Sequence, residues 1–257
     1  MSPSRSVDLN ADVGEATDPG GVEAERALLG LVTSAHVACG GHAGNEQTMT
    51  ATVAAALERG VRVGAHPSYP DTEGFGRRPM DIDRDELRRS LSEQLRALAA
   101  VCEKAGTQIA SVKPHGALYG EVAKGGAIYL VLRAVMAGEC RRGTALVLPS
   151  GCPAMAAALR DDVPALEEGF CDRAYRADGG LVDRSEPGAV LADPDEAAGQ
   201  ALSLARGAIA AGDGTVLTLW VDTLCIHGDS PGAVAIATAV RRALADSGIE
   251  VSAPAPR

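Results

Sequence analysis

The sequence predicts a single-domain α/β protein whose parallel strands form a sheet or a barrel. Seven short apolar runs alternate with seven helix-like stretches, an order that is typical of βαβ units. The chain has 257 residues, of which 46% are hydrophobic, and α/β barrels of this length often form one domain. Polar side chains gather where the apolar runs end, as expected where parallel strands meet at one face.

The predicted strands are short runs rich in Val, Leu, Ile and Ala. They lie near residues 6–9, 34–38, 61–65, 109–113, 144–148, 165–170 and 219–226. The predicted helices lie near residues 22–32, 46–59, 83–105, 121–138, 153–160, 194–210 and 231–247. Residues that commonly cap helices stand at three helix starts, namely Asp83, Asp193 before Pro194, and Ser230 before Pro231.

Composition excludes several classes of protein. Lys and Arg number 24 and Asp and Glu number 34, which gives a net charge of −10, and this acidity disfavours non-specific binding to nucleic acid or an anionic membrane. The chain lacks an apolar run of transmembrane length and an apolar signal segment. Its six scattered cysteines form no C-x-x-C pair, so we expect reduced thiols and a cytoplasmic protein. We expect one domain over residues 1–252 and a disordered tail over residues 253–257.

The ends of the apolar runs carry most of the unusual polar residues. These are Asp8, Asn10, Asp12, Glu15, His42, His66, Lys113, His115, Asp172, Arg173, His227 and Asp229. Four of the five histidines belong to this set, and only His36 lies inside a run. Active sites of parallel α/β folds are built at the carboxyl ends of the strands. The sequence therefore predicts an enzyme.

The first run places Asp8, Asn10 and Asp12 on one side of a strand. Acids that converge at a strand end share a proton, bind a cation or meet a basic group. Asp12, His42 and His66 are candidate ligands for a divalent metal, which in catalytic zinc sites has three protein ligands and an open position. The same histidines and His115 equally fit general acid–base roles or stabilisation of an oxyanion. The sequence leaves these alternatives open.

Basic residues near the strand ends suggest contacts to an anionic substrate. Lys113 precedes Pro114, which favours an extended backbone, and its ammonium fits either a developing oxyanion or a salt bridge to Asp8 or Asp12. Arg77 and Arg78 follow a glycine-rich turn and fit a clamp for a carboxylate or phosphate, or a solvated pair. The sequence contains neither a P-loop nor a dinucleotide-binding fingerprint.

Several motifs together resemble the LamB/YcsF family. They are Val7-Asp-Leu-Asn-Ala-Asp-Val-Gly-Glu15, Ala38-Cys-Gly-Gly-His-Ala-Gly44, Gly64-Ala-His-Pro-Ser68, Val112-Lys-Pro-His-Gly-Ala-Leu-Tyr119, Asp172-Arg173, Tyr175, Ala177-Asp-Gly179 and His227-Gly-Asp229. The resemblance runs from about residue 6 to residue 250 in the same order. Gly41 stands where the family usually has Phe, and Asn45 stands where it usually has Asp.

The resemblance implies a fold and an activity. The fold is a distorted (β/α) barrel of about seven parallel strands, similar to glycoside hydrolases and deacetylases. The activity is the opening of 5-oxo-L-proline to L-glutamate with hydrolysis of ATP, with Mg²⁺ accompanying the ATP. The enzyme has two further subunits, B and C. We then expect Asp12, His66, Lys113 and His115 to be catalytic. We expect substrate contacts from Asp8, Asn10, Glu15, His42, Arg77, Arg78, Asp172, Arg173, His227 and Asp229.

Two other functions fit the same residues. The first is a metal-dependent deacetylase or amidase that uses Asp12, His42 and His66 without ATP. The second is a small-molecule binding or regulatory subunit that does no chemistry. The crowding of ionisable residues at the strand ends favours an enzyme over a binding subunit.

Overall fold

The computed structural model describes residues 6–230 and 232–254. Its strands are β1 (Ser6–Val13), β2 (Ser34–Ala38), β3 (Arg62–His66), β4 (Ser111–Val112), β5 (Ala145–Pro149), β6 (Ala165–Phe170), β7 (Ala208–Ala210), β8 (Val216–Thr218), β9 (Thr223–Ile226) and β10 (Glu250–Val251). Its helices are α1 (Pro19–Leu28), α2 (Glu46–Leu57), α3 (Arg84–Lys104), α4 (Gly116–Ala123), α5 (Ala127–Glu139), α6 (Pro153–Arg160), α7 (Pro194–Ala205) and α8 (Ala233–Asp246).

Seven of these strands form a closed parallel barrel in the order β1-β2-β3-β4-β5-β6-β9. The ring closes where β9 pairs with β1, from Asp8 opposite Thr223 to Ala11 opposite Ile226. β10 pairs with the start of β1, and β7 and β8 form a separate antiparallel hairpin. The prediction of an α/β barrel of about seven parallel strands is confirmed.

The apolar core lies between the barrel and the surrounding helices. Three residues of β1 are fully buried there, namely Leu9, Ala11 and Val13. From α3, the fully buried residues are Leu87, Leu91, Leu95 and Leu98, whose spacing places them on one face of the helix. Each such leucine contributes about 1.5–3 kcal/mol by leaving water. The polar residues of β1 alternate with the apolar ones and therefore point into the barrel.

Three predicted helices differ from the observed ones. The helix expected over 22–32 lies at Pro19–Leu28. The helix expected over 121–138 is divided into α4 and α5, because Gly125 has a φ of 70° and Gly126 follows it. The helix expected over 194–210 ends at Ala205. Gly207, with a φ of 87°, follows that end, and the chain continues as β7. Left-handed glycines commonly end helices in this way.

Two of the three predicted helix caps are confirmed. The Asp83 side chain accepts from the backbone N–H groups of Asp85 and Glu86, and Asp193 does the same at α7. The prediction that Ser230 caps the last helix is wrong, because α8 begins at Ala233 after Gly232. The Ser230 hydroxyl instead donates to the Asp172 carboxylate at 3.1 Å. Pro231 lies outside the described residues.

Residues 255–257 of the predicted tail also lie outside the described residues. Pro254 is described, and its carbonyl oxygen accepts a hydrogen bond from the Arg62 guanidinium. All six cysteines are free thiols. In the part of the chain that the structure describes, no helix combines the length and the apolar character that crossing a membrane requires.

Candidate active site

A cavity of about 560 Å³ opens at the carboxyl ends of the barrel strands. Seven of the predicted site residues line it, namely Asp12, His66, Arg77, Lys113, His115, Arg173 and His227. They come from the ends of different strands or from the loops that follow, as the parallel arrangement predicts. The closed barrel therefore brings together side chains that are far apart in the sequence.

Lys113 lies at the centre of the polar barrel interior and is 2% exposed. Its Nζ is 2.9 Å from Asp12 Oδ1 and 3.0 Å from Glu168 Oε1, and it also donates to Cys225 Sγ at 3.0 Å. Burial lowers the pKa of Lys113, but Asp12 and the other nearby acidic groups raise it, and the net direction is upward. The ammonium is therefore a fixed positive charge on the cavity wall.

Asp12 is an ionised carboxylate between Lys113 and the histidines. Burial raises the pKa of Asp12, but His66 and Lys113 oppose this and hold the pKa well below its ordinary value of 3.8. Asp12 Oδ2 is 3.4 Å from His66 Nε2. Asp12 Oδ1 is 4.0 Å from Nδ1 of His36, a buried histidine of β2 that we did not predict as part of the site.

His66 and His115 have tautomers that their neighbours determine. His66 Nδ1 is 2.7 Å from the carbonyl oxygen of Lys113, and His115 Nε2 is 2.8 Å from that of Phe75. Because a carbonyl only accepts, both of these ring nitrogens carry hydrogen. The other two nitrogens, His66 Nε2 and His115 Nδ1, face each other at 3.0 Å.

His42 and Glu15 complete this cluster. His42 Nε2 is 2.8 Å from Glu15 Oε1, and the His42 ring stacks on the His115 ring with centroids 3.7 Å apart. Burial is the first cause of both pKa shifts, raising the pKa of Glu15 to about 7 and lowering that of His42 to about 3. His42 Nδ1 is buried and has no hydrogen-bond partner among the residues described.

A second group of polar residues follows β6 and β9. His227 Nδ1 is 2.9 Å from Asp172 Oδ1, and the His227 ring stacks on Phe170 with centroids 5.5 Å apart. The Arg173 guanidinium donates to the backbone oxygens of Ala189 at 3.2 Å and Val182 at 2.6 Å. These bonds hold Arg173 in the loop that follows β6, where it lines the cavity.

The two neighbouring arginines have different environments. Arg77 lines the cavity and forms an ion pair with Asp229. Arg78 pairs with Asp71, its side chain is 61% exposed, and it does not line the cavity. The structure therefore does not support the expectation that Arg78 contacts substrate, because Asp71 binds its guanidinium outside the site.

Asp8 also lies away from the cavity. Its carboxylate accepts from the hydroxyls of Thr33 at 2.7 Å and Ser34 at 2.8 Å, and it lines a separate cavity of about 150 Å³ at the other end of the barrel. The expected substrate contact of Asp8 is not supported by this position. Asn10 lies between the two ends and donates to Glu168 Oε1 at 3.0 Å, so it positions Glu168 from below the cavity.

Glu168 and Tyr119 belong to the site although the sequence did not predict them there. Glu168 is 1% exposed and accepts from the Tyr119 hydroxyl at 2.6 Å. The available signal was an acidic residue inside the apolar run 165–170. Tyr119 ends the motif that begins at Val112, and the sequence alone indicates no role for its hydroxyl. Both line the cavity beside Lys113.

The residues that could bind a metal form two groups in the structure, and both differ from the predicted group. One potential ligand atom each from Glu15, His42, His66 and His115 lies within 4.8 Å of the others. A second such group contains Asp12, Cys225 and His227. The predicted set was Asp12, His42 and His66, and neither group has that membership.

Two positions that differ from the usual family residues have structural explanations. Asn45 caps α2, and its side chain accepts from the backbone of Gln47 and Thr48. A Cβ at Gly41 would lie 2.4 Å from Ser68 Oγ and 2.5 Å from Gln94 Oε1. The Gln94 amide occupies this space because it hydrogen-bonds both the N–H and the carbonyl of Ser68.

Comparisons with known proteins agree with these observations. The chain is 46% identical to the 5-oxoprolinase A subunit of Methylococcus capsulatus over 252 residues, which is 97% of this chain and 96% of that protein. It is also 46% identical to the 5-oxoprolinase A subunit of Mycobacterium avium, covering 96% of this chain and 98% of that protein. These matches extend over nearly the whole of each chain.

Solved structures show the same fold. The lactam utilization protein from Thermus thermophilus superposes with a TM-score of 0.84 at 38% identity, covering 96% of this chain and 99% of that one. A family 4 carbohydrate esterase from Streptomyces lividans has a TM-score of 0.51 at 14% identity, covering 96% of this chain and 91% of that one, a likeness of fold alone. The LamB/YcsF family profile matches residues 7–257, and this chain belongs to the LamB/YcsF family.

Proposed function

We propose that this chain is the A subunit of an ATP-dependent 5-oxoprolinase, which cleaves 5-oxo-L-proline to L-glutamate together with subunits B and C. The observation that carries this proposal is the buried Lys113 ammonium on the cavity wall, between Asp12 and Glu168, in a chain 46% identical to proteins of that name. The cavity volume of about 560 Å³ is within the range of small-molecule sites.

The chemistry needs activation because a five-membered lactam is a poor electrophile. In the first step of the proposed reaction, the γ-phosphoryl group of ATP moves to the lactam oxygen and ADP leaves. Water then adds to the lactam carbonyl carbon, the C–N bond breaks, and the ring nitrogen takes up a proton and leaves as the amine. A second water releases phosphate. The sum is 5-oxo-L-proline, ATP and two waters giving L-glutamate, ADP and phosphate.

Several residues have proposed roles in the water-addition step. Lys113 neutralises negative charge that develops at the lactam oxygen. His115 does not share this role, because its one N–H is donated to the carbonyl oxygen of Phe75. Asp12 orients the attacking water and accepts its proton, with His66 beside it at 3.4 Å to take part in the transfer. Arg77 binds the substrate carboxylate, because its guanidinium lies on the cavity wall and favours planar carboxylate partners.

ATP with Mg²⁺ is the proposed co-substrate. The sequence has no P-loop, so the nucleotide is bound either by another kind of pocket in this chain or by the partner subunits. A metal-dependent amidase or deacetylase that needs no ATP is the second candidate function. The cluster of Glu15 with three histidines favours it, since such residues are common ligands of catalytic metals.

The test is an assay of glutamate formation from 5-oxo-L-proline with ATP and Mg²⁺. The purified chain is assayed alone and with the two partner subunits, each with and without ATP. ATP-dependent glutamate formation in the mixture is the expected result, and activity of the chain alone would place all of the chemistry in the barrel cavity. Absence of glutamate in a fully assembled mixture would contradict the proposal.

A parallel assay separates the other functions. Release of acetate from an acetylated sugar without ATP would identify the metal-dependent deacetylase. Binding of 5-oxo-L-proline in a thermal-shift assay, with no turnover in any combination of subunits, would identify a binding or regulatory subunit.

A further inference from the structure

Among the residues that the structure describes, the groups facing Nε2 of His66 are acceptors of hydrogen bonds. This nitrogen lies 3.0 Å from Nδ1 of His115, 3.4 Å from Asp12 Oδ2 and 3.9 Å from Glu15 Oε1. The hydrogen of each imidazole is already used, since the other ring nitrogen donates to a backbone carbonyl. Lone pairs and carboxylate oxygens therefore converge on one point, where a cation or a further proton would stabilise them.

The separations in this cluster resemble those around a tetrahedral ion. Glu15 Oε1 is 3.6 Å from His115 Nδ1, and the other two edges of the triangle are the distances of 3.0 and 3.9 Å to His66 Nε2. An ion with bonds of about 2.0–2.1 Å separates tetrahedral ligands by about 3.4 Å. The triangle thus needs only small adjustments to hold such an ion.

His42 has a different part in this arrangement. Its ring is nearly parallel to that of His115, with an interplanar angle of 6° and a centroid distance of 3.7 Å. An ion in the plane of one of these rings lies out of the plane of the other, so His42 and His115 do not both bind it in this arrangement. His42 Nε2 instead contacts Glu15 Oε1 at 2.8 Å, which orients the carboxylate.

We propose that Glu15, His66 and His115 bind one divalent transition-metal ion of the Zn²⁺ type, and that His42 positions Glu15 by a hydrogen bond. Two imidazoles and one carboxylate form a ligand set that suits Zn²⁺ and leaves a coordination position open. The surrounding hydrogen bonds have the form found around metal sites, because both histidine ligands donate their remaining N–H to a backbone oxygen. This set differs from the sequence-based candidates Asp12, His42 and His66.

The second group of potential ligands already has a cation. Asp12 and Cys225 both contact the Lys113 ammonium, at 2.9 and 3.0 Å. An ion bound by Asp12, Cys225 and His227 would face this fixed positive charge at close range. The structure therefore favours the cluster of Glu15, His66 and His115.

The test measures metal binding by the full chain, without substrate, ATP or partner subunits, so its outcome is separate from that of the 5-oxoprolinase assay. The chelator-treated protein is titrated with Zn²⁺ by calorimetry and with Co²⁺ by visible absorption. We expect one ion per chain, a tetrahedral-type Co²⁺ spectrum without a sulfur-to-cobalt band, and a higher Tm with Zn²⁺. The Co²⁺ spectrum and the Tm are measured on the wild-type chain and need no variant.

Variants then identify the ligands. We expect Glu15→Gln and His115→Ala to abolish stoichiometric binding, and His42→Ala to weaken it about 10- to 100-fold, as loss of a hydrogen bond to a ligand typically does. His227→Ala is the matched control from the same cavity and should bind one ion with unchanged affinity. Circular dichroism of each metal-free variant verifies that it is folded.

Two results would overturn the proposal. If the wild-type chain binds neither Zn²⁺ nor Co²⁺ stoichiometrically, a proton shared by His66 and His115 supplies the positive charge. If binding survives Glu15→Gln but is lost in His227→Ala, with a sulfur-to-cobalt band, the ion belongs to the group of Asp12, Cys225 and His227.

Discussion

The Lys113 ammonium pairs with the Asp12 carboxylate at 2.9 Å inside the barrel, where the two residues are 2% and 4% exposed. Removing two charges from water is costly, and their attraction offsets this cost only when further hydrogen bonds satisfy both groups. Glu168 and Cys225 supply such contacts to Lys113. The arrangement therefore places a permanent charge where a substrate can meet it.

Replacing Lys113 with Met should reduce both stability and activity. The substitution leaves the carboxylates of Asp12 and Glu168 buried without their cation, and the expected loss is about 3–5 kcal/mol in the free energy of unfolding. In the assembled enzyme, turnover should fall by about 10²–10³-fold, as for loss of one group that stabilises an oxyanion. Urea unfolding and glutamate formation measure the two effects.

The control for this prediction is Lys104→Met. Lys104 pairs with Glu46 at 3.1 Å on the surface, and such exposed pairs contribute about 0–1 kcal/mol. Equal losses of stability in the two variants would show that the buried position of Lys113 is unimportant.

The variants Arg77→Ala and Arg78→Ala should differ in their KM for 5-oxo-L-proline. We expect Arg77→Ala to raise the KM for 5-oxo-L-proline by about 10- to 100-fold, because a hydrogen bond to a charged group contributes about 1.5–3 kcal/mol. Arg78→Ala should leave KM unchanged, since Arg78 binds Asp71 outside the cavity. Steady-state kinetics of the assembled enzyme measure both KM values. An unchanged KM for Arg77→Ala would contradict the proposed contact between Arg77 and the substrate carboxylate.

Asp172 should contribute to stability above acidic pH. Burial raises its pKa, but His227 and Ser230 lower it below the ordinary value of 3.8. Its contribution is therefore complete above pH 3.8 and is lost as the pH falls through the lower pKa of the folded state. Asp172→Asn should cost about 1.5–3 kcal/mol at neutral pH, and the difference from wild type should narrow below pH 3.8.

Urea unfolding of wild type and Asp172→Asn, at neutral pH and again below pH 3.8, tests this prediction. Asp213→Asn is the control, because Asp213 lies in an exposed turn, where its carboxylate accepts from the backbone N–H of Thr215. A difference between Asp172→Asn and wild type that widens on acidification would mean that the pKa of Asp172 is shifted in the opposite direction.

Gly41→Ala should destabilise the fold through crowding. The added Cβ would lie 2.4 Å from Ser68 Oγ and 2.5 Å from Gln94 Oε1, and overpacking of this kind costs about 1–3 kcal/mol. Gln94→Ala should reduce that cost, so a double-mutant cycle should show coupling between the two positions. The Phe that is usual in the family at position 41 would require the same space.

Gly138→Ala is the control for the Gly41 experiment. Gly138 lies in α5, and beyond its chain neighbours and its own helix backbone an added Cβ would meet no described atom within 4 Å. The substitution should therefore be neutral or stabilise by up to about 1 kcal/mol. Additive effects of Gly41→Ala and Gln94→Ala in urea unfolding would contradict the crowding explanation.

Much of the fold can be predicted from the sequence because strand periodicity and order are local properties. The run containing Asp8, Asn10 and Asp12 indicated a strand with one polar side, and the structure directs that side into the barrel. Periodicity does not show the height of a residue along the barrel axis. With a rise of about 3.3 Å per residue along the strand, Asp8 lies about 13 Å from Asp12, toward the opposite end of the barrel.

The sequence predicts which residues belong to the site better than it predicts which residues they contact. Position at a strand end placed His66, Lys113 and His115 in one cavity. The contacts of Arg77 with Asp229 and of Arg78 with Asp71 depend on the path of a long loop, which residue spacing does not determine. Glu168 was missed because an acid within an apolar run shows its role only once Lys113 and Tyr119 lie opposite it.

The site forms during folding only when the barrel closes. Thr223 of β9 donates to Asp8 of β1 across 215 residues of sequence, and Cys225 and His227 follow on the same segment. Pairing over such a separation is slow, because the entropy of loop closure is lost before the contacts form. During synthesis, the polar interior that contains Asp12 and Lys113 therefore remains open to water until the last barrel strand has left the ribosome.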